Sequence, residues 1–198
     1  MKIITIFLLI AFPVFSEIDS VRVYWKRTTC NTDCQNILQK YFSQVRAVKS
    51  MQMNTVNNEI LLSWNPELPF SYMEVKTPLQ MAGLGLDYIH VTVTGKINAK
   101  GVDPVLVSNQ DGTVFYLISP ASPRARHEQI ITKNVLGRTL DSGQKATLIQ
   151  VADANESVTI SGPLFMPHRS PTLTIVIDSI SIMEKKEQGQ ASPSLSNR

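Results

Sequence analysis

The side chains best suited to chemistry in this sequence are Cys30 and Cys34, which are separated by three residues. Two thiolates at the first turn of a helix suit a soft metal ion such as Cu(I), because backbone N–H groups and the helix dipole favour deprotonated sulfur. A disulfide would require Cys30 to lie in the loop before that helix. We therefore expect a heavy-metal site at this pair, and a disulfide or a pair with only a scaffold role stays open.

A second candidate for a soft-metal site is Met166 with His168, on either side of a proline. The remaining histidines are expected in solvent, His90 on the polar side of a strand and His127 on an exposed helix face. Three scattered histidines without a nucleophile motif provide no catalytic constellation. The sequence thus favours a binding protein over an enzyme.

The first residues have the pattern of an export signal over residues 1–16. A basic start at Lys2 precedes an apolar run over 3–15 and a processing position before Glu17. The run is shorter than the roughly 20 apolar residues of a membrane-spanning helix. We expect an exported, periplasmic or secreted protein with no membrane span after signal removal, in a compartment that permits disulfides.

Composition narrows the function classes further. Of 198 residues, 43% are hydrophobic and 18% are charged, which is typical of a globular chain rather than a disordered or multi-spanning one. The formal net charge of +3 is too small to indicate nucleic-acid binding. We therefore expect a metal ion as partner, together with a candidate protein partner in the cell envelope, and no nucleic acid.

Two kinds of periodicity alternate in the first half of the chain. Alternating apolar residues predict strands, and apolar residues three and four positions apart predict helices. The hydroxyls of Thr28 and Thr29 are expected to cap the first helix. The predicted elements are a strand over 18–26, a helix over 34–45, strands over 48–53 and 59–64, and a helix over 70–83.

Strand patterns dominate the second half. We expect a connecting helix over 123–140 and a polar, disordered tail over 185–198. Five to six strands with one inserted helix indicate a small antiparallel β-barrel similar to the OB type, which commonly has about five strands. The predicted strands cover 86–97, 105–107, 114–118, 146–151, 158–165 and 173–182.

The first half resembles the heavy-metal-associated domain, the ferredoxin-like βαββαβ module of copper chaperones and metal-pumping ATPases. Segment 47–53 is similar to the stretch leading into that family's second strand, and 58–62 resembles its turn and third strand. The resemblance covers 18–96, and the family's loop has two residues between its cysteines where this chain has three. It implies metal binding by Cys30 and Cys34.

Together these patterns predict an α+β protein with two domains after the signal. A ferredoxin-like domain over 17–85, its last strand placed at 88–96, precedes an OB-like barrel over 86–184. The expected function is that of an exported protein that binds a soft metal ion and delivers or senses it, and Cu(I) is the expected ion. The alternatives are a thiol–disulfide protein of the envelope and a non-catalytic adaptor whose barrel binds a protein.

Overall fold

The computed structural model describes residues 18–26, 30–120, 139–165 and 172–183. These form an α+β protein with one mixed sheet of nine strands and three helices. The elements are β1 Ile18–Trp25, α1 Thr32–Phe42, β2 Val48–Asn54, β3 Glu59–Trp64, α2 Tyr72–Met81, β4 Leu86–Asn98, β5 Val105–Ser108, β6 Val114–Ile118, α3 Ser142–Asp153, β7 Ser157–Pro163, β8 Leu173–Val176 and β9 Ser179–Met183. The predicted signal 1–16, the tail 185–198 and residues 123–138 of the predicted connecting helix lie outside the described residues.

The first half of the described chain confirms the predicted order of elements. Strands β2, β3, β1 and β4 lie side by side in that order, and each neighbouring pair is antiparallel. Alternate residues of β1, beginning with Val21 and Val23, are fully buried. On α1, Leu38 and Phe42 are buried four residues apart, so one stripe of this helix faces the same core.

Strand β4 is shared between the two halves of the molecule. Residues 86–93 pair with β1, and 95–98 pair with β5 farther along the strand. Residues 90–96 also pair with β7. The pairing continues from β5 to β6 and, in parallel, from β6 to β8, and Leu164 after β7 bridges Ile175 in β8. The strands of the second half therefore form a closed circuit through β4.

Two glycines permit the close backbone contacts of that circuit. A Cβ atom at Gly95 in β4 would collide with the carbonyl oxygen of Val107 in β5. A Cβ atom at Gly162 in β7 would collide with the carbonyl oxygen of Val176 in β8. Only glycine allows a neighbouring backbone to approach a strand so closely.

The structure corrects two predictions in the second half. Residues 146–151, predicted as a strand, lie in helix α3, which begins where a side-chain oxygen of Asp141 accepts a hydrogen bond from the Gln144 N–H at 2.9 Å. The β-branched residues of this segment suggested a strand, but Leu148 and Val151 are buried three residues apart, as a helix requires. Residues 173–182, predicted as one strand, divide into β8 and β9, which pair with different strands.

Membrane crossing by a helix is not seen in the described ranges. Within them, no helix combines the length and the apolar character needed to span a bilayer.

Candidate functional site

Cys30 and Cys34 are joined by a disulfide bond, with their Cα atoms 5.2 Å apart. Cys30 lies in the loop before α1, and Cys34 lies in the first turn of that helix. The structure therefore brings together the two sulfurs that the sequence singled out, and it does so in their oxidised form. In that form neither sulfur is a thiolate.

Asn31 holds the helix start in place. Its side-chain oxygen accepts a hydrogen bond from the Cys34 N–H at 3.0 Å, which makes Asn31 the N-cap of α1. Asp33 adds a negative charge in the first turn, where the helix dipole favours it. The predicted caps, Thr28 and Thr29, lie outside the described residues, and Asn31 takes that role because an Asx side chain before a helical run bonds orphan backbone donors well.

The disulfide sits at the border between core and surface. Each cysteine is 8% exposed, and both pack into the hydrophobic cluster that contains Leu38. The Nε2 atom of Gln35, directly after Cys34, donates to the Cys30 carbonyl oxygen at 3.5 Å. A reagent or ion must therefore approach through the small exposed part of the pair.

The surroundings of the cysteine loop are fixed by backbone contacts at one end of the sheet. The Trp25 N–H donates to the Asn58 carbonyl in the β2–β3 turn at 3.2 Å. The Lys26 N–H donates to the Gly85 carbonyl before β4 at 2.8 Å. Because three connections meet where the chain leaves β1, the loop toward Cys30 starts from a well-anchored position.

A groove along α1 could not be predicted from the sequence. It lies between α1 and β2, has a volume of about 390 Å³, and begins at Gln35. Its helix wall includes Gln39 and Phe42, and its strand wall includes Met51 and Met53. The sequence shows that Gln35 and Gln39 are one helical turn apart and that Met51 and Met53 share one face of a strand. It does not show that these two faces lie opposite each other, because that depends on tertiary packing.

The structure does not test the second predicted soft-metal site. Met166 and His168 lie outside the described residues. His90, expected in solvent, is partly buried and its Nε2 atom lies 3.2 Å from an Asp178 carboxylate oxygen. Among the described residues no group of three or more His, Cys, Asp or Glu side chains is arranged to hold a metal ion, and a two-sulfur site would have fewer ligands than such a group.

The face of the sheet away from the helices carries a different cluster. The rings of Tyr24 and Tyr88 stack with centroids 4.3 Å apart, and the Tyr24 hydroxyl donates to a Glu59 carboxylate oxygen at 3.2 Å. Burial raises the pKa of both phenols above the ordinary value, so both stay neutral at physiological pH. This cluster therefore supplies hydrogen bonding and stacking, and no nucleophile.

Comparison with models of known protein families, with curated proteins and with solved structures finds no match to this chain. What the chain does is therefore inferred from its own residues and their placement. The disulfide at the start of α1 is the feature with chemistry that such an inference can use.

Proposed function

We propose that this protein is an exported, non-enzymatic carrier or sensor of a soft metal ion, Cu(I) above others. Cys30 and Cys34 bind the ion when the disulfide is reduced. The observation that carries the proposal is that two sulfurs meet at the first turn of α1, in the connection that follows β1. Two thiolates there are soft ligands near the positive end of a helix dipole.

The arrangement of strands supports the same proposal. The order β2-β3-β1-β4, with helices after β1 and β3, is the one expected for a ferredoxin-like βαββαβ unit. The closed circuit through β4, with a helix before β7, is compatible with an OB-like barrel in the second half. We infer a fold of these two parts, in which the cysteines occupy the loop position of heavy-metal-associated domains.

Metal binding requires reduction of the disulfide first. A dithiol supplies two electrons and two protons, is itself oxidised to a disulfide, and converts the bond into two thiols; loss of the protons gives the thiolate ligands. The cap made by Asn31 leaves the helix start intact in both states, since it bonds the Cys34 backbone and not its sulfur. Exchange of the pair with a disulfide, which takes up the two electrons and becomes two thiols, would therefore release the ion without unfolding α1.

Anaerobic titration with a chromogenic Cu(I) competitor tests this proposal. Reduced full-length protein is expected to remove one equivalent of copper from the competitor, whereas oxidised protein and the Cys30→Ser and Cys34→Ser variants are expected to remove none. Met73→Leu, which changes an exposed sulfur on α2, is the matched control and should bind like the reduced wild type. Equal competition by reduced wild type and both cysteine variants contradicts the proposal.

The disulfide itself favours a second candidate function, thiol–disulfide exchange with envelope proteins. In that reaction a thiolate of the reduced pair attacks a substrate disulfide, a mixed disulfide forms, and one substrate sulfur leaves as a thiolate. The second cysteine then attacks the mixed disulfide, which re-forms the Cys30–Cys34 bond and releases the reduced substrate. Insulin reduction measured with a dithiol reductant should then depend on Cys34. Turnover by the wild type together with no copper binding would favour this candidate over the carrier.

A further inference from the structure

Strand β2 is the outer strand of the sheet in the described part of the chain. It pairs with β3 on one side, and no described strand pairs with its other side. An edge strand of this kind presents a row of backbone N–H and C=O groups that can accept another strand. β2 covers Val48–Asn54, long enough for several such hydrogen bonds.

The groove between α1 and β2 runs along this same edge. Met51 and Met53 are half-buried and supply an adaptable apolar floor. Gln35 and Gln39, one helical turn apart on α1, place side-chain amides on the opposite wall. The Gln35 amide also donates to the Cys30 carbonyl oxygen, which leaves its own oxygen as the acceptor. Primary amides both donate and accept, so they suit the backbone of an added peptide.

Charge along the groove has one sign. Lys49 is the only charged residue among those that line it, and Lys49 is exposed. A second copy of this chain paired through its own β2 would bring another lysine to the seam and no acid, because β2 carries no Asp or Glu. A partner with an acidic side chain complements this surface better than a second copy does.

We propose that the α1–β2 groove binds an extended segment of another protein, which adds as a strand to the edge of β2. The segment places apolar side chains on Met51 and Met53 and an acidic side chain on Lys49. This form of recognition gains affinity from backbone hydrogen bonds and specificity from alternate side chains. The groove begins at Gln35, the residue after Cys34, and its lining includes neither cysteine.

Selection from a random library of 12-residue peptides, with the full-length disulfide form as bait, provides the probe. Selected peptides should carry an acidic residue and shift the backbone amide resonances of β2 and α1. Lys49→Glu should weaken binding about three- to tenfold, as expected for loss and reversal of one exposed ion pair. Lys40→Glu, which makes the same charge change on α1 outside the groove, should bind within about twofold of the wild type.

A second measurement separates strand addition from other binding. N-methylation of alternate peptide residues removes backbone donors, and methylation in one of the two registers should abolish binding. The proposal is overturned if no peptide is selected or if the shifted amide resonances lie outside β2 and α1. It is also overturned if Lys49→Glu and Lys40→Glu lose the same amount of peptide affinity. Sedimentation showing that the free chain dimerises through β2 also overturns it. None of these outcomes depends on copper, so the carrier function can fail while the groove stands.

Discussion

The two halves of the molecule bury their sheets in different ways. In the first half, α1 and α2 cover one face of an open sheet, and the other face carries the stacked pair Tyr24 and Tyr88. In the second half the strands close on themselves, which requires glycine at 95 and 162. The open half leaves an edge strand and a groove accessible to partners and holds a nearly buried disulfide. The closed half supplies β4 with a second set of neighbours.

Strand β4 belongs to the sheets of both halves. It contributes Val91 and Val93 to the core shared with β1, and its later residues hold β5. A strand paired on both sides in this way couples the unfolding of both halves.

The largest effects should come from matched core truncations in the two halves. Leu38 on α1 and Leu148 on α3 are both fully buried, so Leu38→Ala and Leu148→Ala should each cost about 2 to 5 kcal/mol of unfolding free energy. Both tryptophans, Trp25 and Trp64, lie in the first half. If the halves unfold together, Leu148→Ala lowers the urea midpoint seen by tryptophan fluorescence as much as that seen by circular dichroism. An unchanged fluorescence midpoint would show two independent units.

Closure of the second half is tested by Gly162→Ala. The added methyl group collides with the Val176 carbonyl oxygen, and we expect a loss of about 3 kcal/mol in a urea unfolding experiment. Gly101→Ala is the control, because its Cβ meets no atom closer than 3.6 Å and should change stability by less than about 0.5 kcal/mol. Equal stability of the two variants would contradict the close contact between β7 and β8.

Removal of the disulfide should have a moderate effect on the first half. The bond closes a loop with a sequence separation of 4, for which chain entropy gives about 2 kcal/mol. The Cys30→Ala/Cys34→Ala double variant, compared with the wild type with and without reductant, measures this contribution. A variant that cannot fold at all would mean that the pair is mainly structural, against a reversible role.

A smaller effect is expected from the cap of α1. Asn31→Ala removes the acceptor of the Cys34 N–H and should cost about 1 kcal/mol, measured by thermal unfolding. Asn36→Ala, an exposed change within the same helix, should be neutral or stabilising since alanine is the better helix former. The reverse ranking would be inconsistent with the helix start described here.

The smallest expected effects are changes in stability with pH. The sign of this change should differ between Asp19 in the first half and Asp141 in the second half. Burial raises the pKa of Asp19 above the ordinary 3.8, while the Thr94 hydroxyl partly opposes this. The contribution of Asp19 to stability is present below pH 3.8 and is lost as the pH rises through the folded-state pKa of Asp19. The Gln144 N–H, followed by the Ser119 hydroxyl, lowers the pKa of Asp141, whose contribution is present above 3.8 and lost as pH falls.

Unfolding free energies of Asp19→Asn and Asp141→Asn, measured from acidic to neutral pH, check these signs. Relative to the wild type, Asp19→Asn should become more favourable as pH rises above 3.8. Asp141→Asn should lose its disadvantage as the pH falls through the folded-state pKa of Asp141. Parallel pH profiles of the two variants would contradict the assignment.

Local elements of the first half could be predicted because their patterns are simple. Alternation from Val21 to Trp25 indicates a half-buried strand, and the four-residue spacing of Cys34, Leu38 and Phe42 indicates a helix stripe. The sequence does not predict helix α3, because Thr147, Ile149 and Val151 are β-branched residues, which favour a strand. Asp141 is a typical N-cap residue, and it indicates the start of a helix more strongly than these residues indicate a strand.

Features that depend on several elements could not be predicted from the sequence. The oxidised state of Cys30 and Cys34 depends on the path of the loop before α1, which brings their Cα atoms to 5.2 Å. The groove depends on the approach of α1 to β2, and the shared role of β4 depends on which strands pair. Hydrophobic periodicity predicts which residues share one face of a helix or strand. It does not predict which other element packs against that face.

X-ray absorption at the copper edge tests the central claim most directly, since it reports the ligands of the bound ion. Reduced full-length protein loaded with one equivalent of Cu(I) should show sulfur ligands alone, and this signal should be lost in the Cys30→Ser variant. Nitrogen or oxygen ligands in the wild type, or an unchanged spectrum in the variant, would show that copper binds elsewhere and that Cys30 and Cys34 do not form the metal site.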